Sequence, residues 1–148
     1  MLSHYWNRVA LLKRFFATDR PSRRQRREIA ALYDDASMRE RLREAQERIN
    51  FDDTEMRDIV CQYIRDTPAM FDNLDNARER GDCREIFLYA HSIVGVAALL
   101  NIDEVASYAH IVEQNAKQQQ CSDAASLHLL FEHHNASLDA LKRLHACD

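Results

Sequence analysis

The stretch YAHSIVGVAALL, residues 89 to 100, sets one imidazole and one glycine into an otherwise largely apolar run. An unperturbed imidazole titrates near about 6.5, so at neutral pH it is largely neutral and nucleophilic; a partner bonded to one ring nitrogen fixes the tautomer that leaves the other free to attack. At helical spacing Ile86, Ala90, Ile93, Ala97 and Leu100 form one stripe, and His91 projects about 160° from Ile93, away from it. Phe87, Val94 and Gly95 lie one turn from His91, which places the imidazole on an exposed, partly apolar ridge. Gly95 weakens a helix by about 1 kcal/mol relative to alanine, which calls for a compensating use. Either it clears space for another protein's backbone or for a bulky group on the imidazole, or it is a packing glycine beside a buried histidine. Geometry leaves both open.

The elements that must position this stretch read as helices throughout. The 148 residues are 46% apolar and 30% charged, with two glycines and two prolines, so turns are few and strand signatures nearly absent. Leu2, Tyr5, Trp6, Val9, Leu12 and Phe16 give a short amphipathic helix over residues 2 to 17, with packing or pairing favoured over membrane binding. After Pro21, one helix is predicted from Ser22 to about Ile49, with Ile29, Leu32, Tyr33, Ala36, Leu42, Ala45 and Ile49 on one side. Asp53 or Thr54 caps a helix to about Asp66; Thr67 and Pro68 end it and start another that stops at Gly81. The His91 helix runs from about Asp82 to Leu100, with Asn101 able to take a left-handed terminal conformation. A helix from Asp103 fades in KQQQ, and Ser122 or Asp123 caps the last. Long helices with short turns pack as an antiparallel bundle. Residues 1 to 50 read as a helical extension and 51 to 148 as the bundle.

Charge and cysteine usage narrow the partners. Residues 1–50 carry 12 basic and 7 acidic side chains, the remainder 8 and 17. Nucleic acid is therefore an improbable partner of the larger part, and the basic run Arg23 to Arg27 lacks aromatic interleaving and reads as a solvated face. Cys61, Cys83, Cys121 and Cys147 sit far apart with no zinc-like spacing and read as reduced, cytoplasmic thiols. No apolar run approaches the roughly 20 residues of a membrane span. His128, His133, His134 and His145 have no metal-helix spacing and read as solvated or edge-packed, so no metal site is expected.

Ala90-His91-Ser92-Ile93-Val94-Gly95-Val96-Ala97 resembles the pattern Ala-His-x-Leu-Lys-Gly-Ser-Ala of the histidine-containing phosphotransfer (HPt) domain. The related amino-terminal domain of chemotaxis histidine kinases is similar. The likeness extends upstream through YIRDTPAMFDNLDNARERGDCREIFLYA and downstream through LLNIDEVASYAHIVEQ, where Asn101 replaces the usual glycine, and covers about 51 to 146. The resemblance implies an all-α, antiparallel four-helix bundle with additional N-terminal helices. His91 would exchange a phosphoryl group with an aspartate of a response-regulator receiver domain, in a relay that includes a sensor histidine kinase. Glu113 would accept a hydrogen bond from His91 Nδ1, with His110 supporting it, and Phe87, Val94, Gly95 and Ala98 would form the docking ridge. The chain would be a phosphoryl carrier without an ATP motif or a cofactor of its own, the receiver bringing Mg²⁺. Val94 stands where the family usually has lysine; Arg84, two turns before His91, is a partial substitute. The alternatives are an HPt-like module that binds a receiver or kinase without transfer, and a helical regulator using the basic first 50 residues.

Overall fold

Capping residues punctuate the chain. In the computed structural model, which describes residues 21–121 and 124–147, Ser22, Asp34, Asp52 and Asp82 each accept a hydrogen bond from the backbone N–H three residues on, the arrangement that starts a helix. The described residues form α1 (Arg23–Ala31), α2 (Asp35–Ile49), α3 (Asp53–Arg80), α4 (Cys83–Leu99), α5 (Asp103–Lys117) and α6 (Ala124–Leu144), with no strand among them. Asn50, Gly81 and Asn101 take left-handed conformations, with φ of 56°, 66° and 57°, at the turns after α2, α3 and α4. Glycine and asparagine meet that requirement at least cost. The helix expected over residues 2 to 17 and the cap expected at Ser122 or Asp123 lie outside the described residues.

The helices close round one apolar core in an antiparallel bundle. Ile86, Ala90, Ile93, Ala97 and Leu100, the stripe read from α4, are all buried. Val105, Ala109, Val112 and Ala116 face them from α5, and Leu127, Leu130, Leu138 and Leu141 from α6. Ile29, Met38, Leu42 and Ala45 of α1 and α2 belong to the same core, so the first described helices pack on the bundle.

Three expectations are corrected. The single helix from Ser22 to Ile49 is two: Asp34 accepts from Ser37 N at 2.8 Å and starts α2, and the break sends Tyr33 into the core while leaving Leu32 and Ala36 exposed. The break expected at Thr67 and Pro68 does not occur, because α3 runs through Pro68. An interior proline costs about 3 kcal/mol. Against this, Thr67 Oγ1 donates to the Tyr63 carbonyl at 2.7 Å, and Val60, Tyr63, Thr67, Phe71 and Leu74 are all buried, so packing holds the two halves in line. The cysteines, expected as separate thiols, are paired as Cys61–Cys147 and Cys83–Cys121, with Cα separations of 5.5 and 5.6 Å. Sequence separations of 86 and 38 residues hid these pairs, which helix packing creates.

Candidate functional site

The side chain of His91 is 68% exposed, on the outward face of α4 opposite the buried stripe. It is also held. Its Nδ1 lies 2.7 Å from Oε1 of Glu113, whose side chain is only 9% exposed on α5. A buried carboxylate must be hydrogen-bonded to remain charged, and Glu113 has a ring nitrogen at each oxygen: His110 Nδ1 stands 3.3 Å from Oε2. An ionised carboxylate only accepts, so His91 donates from Nδ1, and in a neutral ring the free lone pair is then on Nε2. The arrangement leaves an outward-facing ring nitrogen that a bonded partner holds in one orientation.

One face of the ring is supported by Phe87, which stacks on it at 5.9 Å between centroids and 13° between planes. Val94 is half-buried beside it, while Arg84, Gly95 and Ala98 are exposed along the same helix. A Cβ built on Gly95 would meet nothing within 4 Å. The glycine therefore serves no packing need among the described residues, which speaks against the packing alternative. Sequence reasoning missed Leu88, 51% exposed one turn before Ser92 and on the same outer face. Its position three residues before His91 was the available signal.

The other histidines divide differently from expectation. His133 and His134 are 0% and 3% exposed, so the solvated or edge-packed reading is wrong for both. His133 Nδ1 lies 2.7 Å from the Tyr33 hydroxyl, and the His134 ring stacks on Phe71 at 3.6 Å. Burial holds each well below the ordinary imidazole range, at about 4, and for His133 it outweighs the attraction of Glu104. Both are neutral core groups. Among the described residues no three His, Cys, Asp or Glu side chains cluster as metal ligands would.

Fold and site together define a class: a helical bundle displaying one imidazole on its surface, oriented by a buried carboxylate from the neighbouring helix. The Hpt domain family model matches residues 58–145, and the chain belongs to that family. Members of this family are phosphoryl carriers in two-component signalling that work with receiver domains and kinases. No curated protein and no solved structure matches the chain. Among the described residues no helix is long and apolar enough to cross a membrane.

Proposed function

We propose that His91 is the phosphoacceptor of a phosphorelay, exchanging a phosphoryl group with the aspartate of a receiver domain. The observation that carries the reading is the His91–Glu113 hydrogen bond on a ring that is otherwise open to a partner. In the forward step the Nε2 lone pair attacks phosphorus, the P–O bond to the receiver's aspartate breaks, and the carboxylate leaves with the electron pair. Nδ1–H stays on Glu113, whose negative charge stabilises the positive charge that the ring acquires. His110 holds the second oxygen of Glu113, and Phe87, Leu88, Val94, Gly95 and Ala98 receive the partner. The receiver is expected to bring the Mg²⁺ that neutralises the phosphoryl oxygens, and a sensor kinase supplies the relay upstream.

Val94 favours a second reading, a module that binds receivers without turnover, because it leaves the phosphoryl group without the cation that lysine would offer. Two unit charges at 4 Å interact by about 1 kcal/mol in water and about 4 kcal/mol at an effective dielectric of 20, so the substitution slows transfer without forbidding it. Incubation with a receiver carrying labelled phosphate decides: wild type should take up label and His91→Gln should not. Binding without label in wild type would establish the silent module. The same reading puts the chain in the cytoplasm, where disulfides rarely persist. Thiol blocking in cells tests this placement against the cysteine pairs of the structure: capture of none of the four would place the chain in an oxidising compartment instead.

A further inference from the structure

Two arginines of α2, outside the Hpt match, converge on the turn that joins α4 to α5. Arg48 donates from Nη2 to the carbonyls of Ala98 and Leu99, at 3.2 and 2.9 Å, and from Nη1 to Oδ1 of Asn101. These carbonyls end the His91 helix; that of Ala98 also accepts from Asn101 N at 3.1 Å, and a cation beside the pair adds to this bonding and complements the helix dipole. Arg41 donates from Nη1 to the Asn101 carbonyl at 3.1 Å and grips both oxygens of Glu104, on the first turn of α5, at 2.7 and 3.1 Å. Asn101 is buried and returns a bond, Nδ2 donating to the Arg41 carbonyl at 3.0 Å. The Glu104 carboxylate also accepts from the Tyr33 hydroxyl at 3.2 Å. Burial alone would raise Glu104, yet the bonds and charge of Arg41 hold it below the ordinary carboxylate range.

This turn sets the register of the site. His91 lies about 12 Å before the end of α4 and Glu113 about 15 Å beyond the start of α5, at a rise of about 1.5 Å per residue. A slip of one residue between the helices would carry a 2.7 Å hydrogen bond out of reach. We propose that Arg48 and Arg41 are positioning residues for His91: by clamping the turn around Asn101, α2 fixes the alignment of α4 and α5 in which Glu113 holds the imidazole tautomer. The inference rests on the phosphotransfer reading for its effect on rate, but not for its effect on the ring.

The test uses the full chain with its cysteines reduced, so that Cys83–Cys121 cannot hold the other end of the hairpin. Nitrogen NMR reads the His91 tautomer, and labelled phosphoryl uptake from a receiver reads the rate, in wild type, Arg48→Ala and Asn101→Gly. Glycine keeps the left-handed turn while removing the side chain that accepts from Arg48 and donates to the Arg41 carbonyl, so this variant retains the fold if Arg48→Ala does not. The expected result is hydrogen shared between Nδ1 and Nε2 of His91 in both variants, uptake slowed about tenfold, and Arg48→Lys recovering part of each. An unchanged tautomer in folded Asn101→Gly, with melting temperature alone reduced in Arg48→Ala, would overturn the proposal. A shifted tautomer in a protein whose wild type takes no label supports the clamp and defeats the phosphotransfer reading instead.

Discussion

His91 and His133 make the same local bond and have opposite fates. Each has Nδ1 at 2.7 Å from an oxygen, of Glu113 in one case and Tyr33 in the other. The first ring is 68% exposed on α4, whereas the second is fully buried on α6, with no partner for its Nε2 among the described residues. On the proposed reading, a tethered ring that can meet a partner is a reagent, whereas a tethered ring without access is a neutral packing element. Burial, rather than residue type or hydrogen bonding, separates the two.

The largest effects should separate them cleanly. His91→Gln is expected to abolish phosphoryl uptake while changing stability by under about 1 kcal/mol, as for other exposed positions. His133→Ala should cost about 2–4 kcal/mol in urea denaturation through the cavity it opens, and leave uptake intact under conditions where it folds. Reversal of this pattern would erase the distinction. Acid should then act through the buried ring. His133 drops from 6.5 unfolded to about 4 folded, so between these values the unfolded state binds more protons and stability falls as pH falls. The loss begins below about pH 6.5 and is complete below about 4, amounting to about 3 kcal/mol. Urea titrations across this window should show the slope, to which His134, also held at about 4, adds a like share; His133→Gln should remove about half of it, and an identical slope would assign the acid sensitivity elsewhere.

Smaller effects sharpen the account of His91. Glu113→Gln leaves a neutral acceptor in place of a charged one, and a charge-assisted hydrogen bond is worth about 1.5–3 kcal/mol, so uptake should slow about 10- to 100-fold. A rate within twofold of wild type would remove Glu113 from the mechanism. Gly95→Ala is the mildest. Its Cβ meets nothing within 4 Å among the described residues, so thermal unfolding should show a gain of up to about 1 kcal/mol. Receiver binding, measured by calorimetry, should weaken if the glycine is kept for a partner; unweakened binding would leave it without that use.

Legibility followed the range of the interaction. The α4 stripe and the outward His91 were readable because 3.6-residue periodicity is local, and the turns at Gly81 and Asn101 because their residue types favour left-handed backbone. Glu113 came from the family resemblance; its spacing from Ala109 and Ala116 puts it at the edge of the buried stripe of α5, but a charged side chain there reads as solvated without a known partner. The two breaks were misread for opposite reasons. Asp34, followed by Ser37, is a usable cap signal obscured by the apolar pattern around it, whereas the Pro68 signal was genuine but outweighed by the buried face of α3. The cysteine pairs, the burial of His133 and the arginine clamp all join positions 38 or more residues apart. No periodicity carries such information.

The most direct measurement is to locate the phosphoryl group itself. After incubation with a phosphorylated receiver, fragmentation mass spectrometry of the intact chain should find one acid-labile phosphoryl group, on His91. Modification of His110 or any other residue in place of His91, or uptake undiminished in His91→Gln, would contradict the account.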